Sequence, residues 1–159
     1  MSKTAIREMV AAGGVIVSLV FVGLEIRANT SAVRGATIQG ISDQSIEAAL
    51  AVAEIPEMRE GFAKIFAGRE AELTPAEEDA LVMLYTAVMR ISENRFRQRQ
   101  LGVFETPEAV GGGAAMYRVP FFRTFWDSRR FEYPSDFANY VDEFLLPLVG
   151  DSIPRVLPR

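Results

Sequence analysis

A chain of 159 residues, 49% hydrophobic and 24% charged, has enough material for one domain with a real core and the wrong composition for disorder. Its net charge of −4 disfavours a nucleic-acid partner, which requires a strongly basic face. Cysteine and histidine are both absent, which excludes disulfide frameworks, thiolate metal sites and all Ser-His-Asp, Cys-His or Glu-x-x-His chemistry. Carboxylate, tyrosine and arginine chemistry remain. Lys3 and Lys64 are the only lysines, so a Schiff-base lysine is a poor candidate.

The first element is MVAAGGVIVSLVFVGLEIRANT, in which the sixteen residues from Met9 to Leu24 pass without a charge. Apolar residues point in every direction, and a helix apolar all round is either deeply buried or in lipid. Sixteen residues rise roughly 24 Å, against about 30 Å of hydrocarbon. Ile6 and Ile26 extend the run, and Arg7, Glu8 and Glu25 fall at headgroup level. Gly13, Gly14, Ser18 and Gly23 disfavour an exposed soluble helix but suit close packing in a bilayer. Gly14 and Ser18 form a small-xxx-small pair that fits docking against a second transmembrane helix. No later helix is apolar enough to surround such a segment, so a membrane anchor is expected ahead of a buried core helix. Glu25 and Arg27 stand where a signal peptide would need small residues before cleavage, so the segment is expected to be retained. Lys3 and Arg7 before it balance Arg27 and Arg34 after it, which leaves the orientation open.

Beyond Leu24, Ile26, Val33, Thr37, Ile41, Ile46, Leu50 and Ala53 recur at roughly helical spacing, and Pro56 is the first proline. One long helix is therefore expected from about Thr4 to Ala53, with Gly35 and Gly40 as points where it could bend. Pro56 opens a short helix carrying Met58, Phe62, Ile65 and Phe66 on one face and stopped at Gly68. In TPAEE, Thr74 is an N-cap, Pro75 fills the first turn and Glu77 closes a capping box. That helix is expected to reach about Leu101, with Leu81, Leu84, Tyr85, Val88, Ile91 and Phe96 facing the core and Gly102 as its stop. Thr106-Pro107-Glu108 begins a further helix that Gly111, Gly112 and Gly113 weaken. Helices around Pro120 to Arg130 and from Ser135, the expected cap, to Leu146 follow. Pro147, Pro154 and Pro158 make the tail irregular. The expectation is an all-α chain: residues 1–26 a transmembrane anchor, 27–147 a helical domain and 148–159 a proline-rich tail.

Charge and aromatic residues are unevenly placed. Residues 54–79 hold eight acids, whereas residues 90–130 hold eight arginines against four acids. The arginines read either as a face for anionic headgroups or an acidic partner, or as a solvated surface with local pairs such as Glu93 and Arg97. Ten of the sixteen aromatic residues lie between Tyr117 and Phe144, and most should be core. The adjacent pairs Phe121–Phe122 and Phe125–Trp126 cannot all face one way on a helix, so one or two are expected to reach a partner or the bilayer interface. Arg95, Arg99, Phe121, Phe122, Trp126, Arg129 and Arg130 are the candidate partner or headgroup contacts. Catalytic candidates are thin: Asp142 and Glu143 point apart, and Glu77, Glu78 and Asp79 suit a helix N-terminus. The triple glycine lacks the Lys-Ser/Thr of a phosphate loop, and no spaced Asp/Asn loop supports a cation. No catalytic residue, cofactor or metal is expected.

The apolar N-terminal helix, Ile26-Arg27-x-Asn29-Thr30 at its exit, Glu93-Asn94 with Gly102 downstream, and Trp126, Arg129, Phe131 and Phe137 near the end together resemble a group of small bacterial proteins of unassigned function. The resemblance covers most of the chain in outline through short motifs, and the triple glycine and proline-rich tail depart from it. It implies a membrane-anchored helical protein, with the bacterial inner membrane as the location, and no active site. The leading expectation is a non-catalytic, single-pass accessory or stabilising subunit of a larger membrane complex, of the respiratory or photosynthetic class, with membrane-protein subunits and the bilayer as partners. A soluble, self-associating helical module is the second expectation. An enzyme acting on a lipid or small anion, with Arg95 and Arg99 holding the anion, is the third.

Overall fold

The computed structural model describes residues 3–103 and 115–150, with the backbone alone for residues 4–12. Among these the chain is all-α, with no strand. The helix start expected at Thr106, the triple glycine and the tail beyond Gly150 lie outside the described residues. Two compact units are present, Met1–Gly40 and Ile41–Arg159. Helix α1, Lys3–Glu54, contributes residues to both.

In the first unit, helix α1 continues through Gly35 without interruption. Thr30 and Thr37 hydroxyls donate back to the carbonyls of Ile26 and Val33, at 2.8 and 3.0 Å, so neither leaves a polar group unsatisfied on the helix. Every residue from Gly13 to Ala36 is exposed, and the apolar segment is long enough to cross a membrane.

The second unit is built by a recurring device at helix starts. Ile55, Thr74 and Val119 each precede a proline and are extended, with ψ of 113°, 157° and 144°. A residue before proline is pushed out of the helical region, while the proline itself suits the first helical turn. Helices α2 (Pro56–Phe66), α3 (Pro75–Gln100) and α4 (Pro120–Arg129) all begin this way. Gly68 and Gly102, at φ 69° and 72°, take the left-handed conformation that ends α2 and α3. At Thr74 the expected capping box is present: its hydroxyl accepts from the Glu77 amide at 3.3 Å, and Glu77 Oε2 accepts from the Thr74 amide at 2.7 Å.

Helix α2 packs along α3. The two helices lie close at Gly61, where an added Cβ would stand 3.1 Å from the Leu81 side chain. Met58 and Ile65 from α2 meet Leu81, Leu84, Tyr85 and Met89 from α3 in the core. From the second unit's share of α1, Ala48, Ala51 and Val52 pack against this core, while Ile46 and Leu50 are 57% and 51% exposed. The expected face through Ile46, Leu50 and Ala53 is thus corrected to Ser45, Ala48 and Val52. Bulky aliphatics give the stronger hydrophobic signal, but the smaller residues permit the closer contact.

The aromatic pairs on α4 are also corrected. Phe121, Phe122, Phe125 and Trp126 are all buried, so Phe121, Phe122 and Trp126 are not partner contacts. Adjacent residues on a helix are about 100° apart, and α4 is covered on two sides. Phe121 and Phe125 meet Tyr85, with ring centroids 5.4 and 5.5 Å away, while Phe122 and Trp126 meet Tyr117 and Tyr133. Among the described residues after α4, the exposed aromatic rings are instead Phe131, at 82%, and Phe144, at 53%.

Helix α5 is shorter than expected, Ser135–Tyr140, and passes into a π-type turn at Val141–Leu145 and a 3₁₀ turn at Leu146–Leu148. Pro134, not Ser135, occupies the cap position, and the Asp136 carboxylate accepts from the Phe137 amide instead. The widened turn follows from Pro147, which cannot supply the amide that a continuing α-helix needs.

Thr74→Ala should lower the stability of the second unit by about 1 kcal/mol, with Thr74→Ser retaining most of it. Denaturant unfolding followed by fluorescence of Trp126, the sole and fully buried tryptophan, checks this.

Candidate functional site

Within the second unit, a cavity of about 330 Å³ opens between the Ser45–Val52 stretch of α1, Phe62 of α2, α3 and the turn at Met116–Arg118. That volume sits at the lower end of small-molecule sites. Its wall is mostly aliphatic and aromatic, from Val52, Phe62, Leu84, Val88, Ile91 and Met116. Its polar groups are Ser45, Ser92, Arg95 and Tyr117, and Arg95 is the one charged residue of the lining.

The polar groups are ordered by the helices that carry them. Ser45 Oγ donates to the Ile41 carbonyl at 2.8 Å and accepts from Arg95 Nη2 at 2.8 Å. Ser92 Oγ donates to the Val88 carbonyl at 2.9 Å and lies 2.6 Å from the Tyr117 hydroxyl. With the single Ser92 proton committed to Val88, the Tyr117 phenol is the donor of that contact. Burial raises the pKa of Tyr117 and keeps it neutral, Ser92 and Arg95 opposing this less strongly. Tyr85, alongside, donates to the Met116 carbonyl at 2.9 Å and is likewise kept neutral by burial. Met89 and Ser92, inside the α3 face, were not among the residues expected there. Ser92 gave no hydrophobic signal, and only its position three residues after a buried methionine could have placed it.

Four of the eight arginines of the expected face are in ion pairs. Arg90 bonds Glu93 at 2.9 Å, Arg129 bonds Glu132 at 2.8 Å, and Arg130 bonds Asp142 at 2.7 Å. Arg97 pairs with Asp136 across to α5, which replaces the expected Glu93–Arg97 pair because Glu93 is taken by Arg90. Among the described residues Arg95, Arg99 and Arg123 form no ion pair. Of the two candidates for an anion, Arg95 faces the cavity and Arg99 does not line it. In the first unit, a Cβ added at Gly14 would meet nothing within 4 Å, and Ser18 is exposed, so that side of the helix is open.

The perturbed carboxylates are structural. Glu77 is held below its ordinary pKa by Lys64, whose Nζ lies 2.7 Å from both carboxylate oxygens, and by the Thr74 amide. Asp142, lowered chiefly by Arg130, also accepts from the Trp126 indole at 2.7 Å. Asp136 is pulled down to about 2, first by Arg97. Among the described residues no three acidic side chains converge as a metal site would require. No protein-family model, curated protein or solved structure matches this chain.

Because the folded pKa of Asp136 is depressed, its contribution to stability is complete above its ordinary value of 3.8 and is lost as pH falls toward about 2. Asp136→Asn should therefore flatten the fall in stability between those pH values, read as unfolding midpoints across the acid range. A second expectation concerns the cavity wall: Ser92→Ala leaves the Tyr117 hydroxyl without its acceptor and should cost about 1–3 kcal/mol. Trp126 fluorescence in denaturant measures it.

Proposed function

We propose that this chain is a non-catalytic, single-pass membrane protein whose first helix anchors it. In this reading it acts as an accessory or stabilising subunit of a larger membrane complex, the respiratory and photosynthetic assemblies being the class that most often includes such subunits. The observation behind the anchor is the first unit's surface. Val15, Ile16, Leu19, Val20, Phe21 and Leu24 are each 59–66% exposed. Removing six such side chains from water is worth on the order of 10–20 kcal/mol, which makes hydrocarbon a far better surrounding than solvent.

Two further features fit the reading. Arg27, Thr30, Ser31 and Arg34 follow the apolar segment at i, i+3, i+4 and i+7, on one helical face, and line a shallow recess with Ile26. Two cations and two hydroxyls on that face support a contact with phosphate headgroups. Gly14 and Ser18 lie four apart with open space before Gly14, which suits close approach by another subunit's helix. A bacterial inner membrane is the location implied by the resemblance of the chain's motifs.

Native purification in mild detergent tests both parts of the proposal. The full-length chain is expected in the membrane fraction after alkaline wash and in a high-mass complex after solubilisation. Gly14→Leu with Ser18→Leu should release it from that complex while leaving it in the membrane. A free monomer in detergent would overturn the accessory role. A monodisperse oligomer without detergent would overturn the anchor and establish the self-associating module instead.

A further inference from the structure

The cavity beside Arg95 is independent of the anchor, since every residue that lines it belongs to the second unit. We infer that it is a binding site for a medium-chain fatty carboxylate, with the acyl chain in the aliphatic part and the carboxylate on Arg95. The hydrogen-bond inventory of the wall selects the head group. The Ser45 proton is used on Ile41, the Ser92 proton on Val88, and the Tyr117 proton on Ser92. The side-chain donors left for a ligand therefore belong to Arg95, whose guanidinium has five N–H groups and spends one on Ser45.

A ligand that accepts hydrogen bonds and bears negative charge matches that remainder; an alcohol or an amine does not. Arg95 also lacks a carboxylate partner among the described residues, unlike Arg90, Arg97, Arg129 and Arg130 on the same part of the chain. An incoming carboxylate would supply the counter-charge and a two-point contact with the planar guanidinium. Size sets the tail. At about 30 Å³ for each water-sized group, a 330 Å³ cavity takes roughly ten such groups, a medium chain and not a two-chain phospholipid. Ser45 fixes the guanidinium from the α1 side, so the head group and the helix that positions it are linked through one hydroxyl.

Photo-labelling tests this on full-length protein in phosphatidylcholine nanodiscs, or in buffer where the chain proves soluble. The probe is a diazirine-bearing ten-carbon carboxylate, with decanoate and decanol as competitors. Labelling is expected to be saturable and to map to Ser45–Val52 or Leu84–Arg95. Decanoate should compete, and decanol should compete at least about tenfold more weakly, the scale of a charge-assisted contact. Arg95→Gln should weaken labelling to a similar extent with Trp126 fluorescence unchanged, which separates loss of the site from loss of the fold. Ala48→Leu, which fills the cavity without touching the charge, should abolish labelling. Equal competition by decanol, undiminished labelling of folded Arg95→Gln protein, or labels mapping away from the cavity would each overturn the inference.

Discussion

The second unit depends on the burial of one continuous aromatic cluster against helix α3. Tyr85 stands at its centre, fully buried, with Phe121, Phe122 and Phe125 around its ring and its hydroxyl on the Met116 carbonyl. From there the contacts run through Trp126 to Tyr133, Phe137 and Phe96. Rings of this size remove large apolar areas from water, and each truncation in such a core costs about 3–5 kcal/mol. The Trp126 indole donates to Asp142 and the Tyr117 phenol meets Ser92 within the core, whereas the Tyr133 hydroxyl is buried without a hydrogen-bond partner. The cluster therefore holds the 116–118 turn, α4 and α5 in place.

The two units solve opposite problems. In the second, short helices carry rings that meet one another across several elements, so burial comes from within. In the first, the apolar residues lie on all sides of a single helix and none of the window that could span a membrane is buried. Such a helix satisfies its own backbone, as a lipid environment demands, but not its side chains in water. The anchor proposed above rests on that mismatch.

Much of the local structure was legible along the chain because it rests on neighbours. Pro56, Thr74-Pro75 and Pro120 mark helix starts through backbone sterics alone, and Gly68 and Gly102 mark stops through their tolerance of positive φ. The capping box could be read whole, since Thr74 and Glu77 are three residues apart. The site was legible only as Arg95, singled out with Arg99 as a possible anion contact. Choosing between the two required knowing that Ser45, fifty residues earlier, meets Arg95.

By itself the sequence determined the all-α class, the starts of α2, α3 and α4 and the stops of α2 and α3, because those starts and stops are governed by residues a few positions apart. It also determined that no histidine or cysteine chemistry is possible. The inner faces of α2 and α3 were legible in the apolar spacing, but tertiary structure decided those of α1 and α4. Phe121, Phe122 and Trp126 went into the core because α4 is covered on two sides, and Ala48 displaced Ile46 because close contact favours small residues over greasy ones. It also decided the charge pairs, sending Arg97 to Asp136 and leaving Arg95 for the cavity. Those outcomes depend on distances across space between residues far apart in the chain, which composition and spacing do not encode.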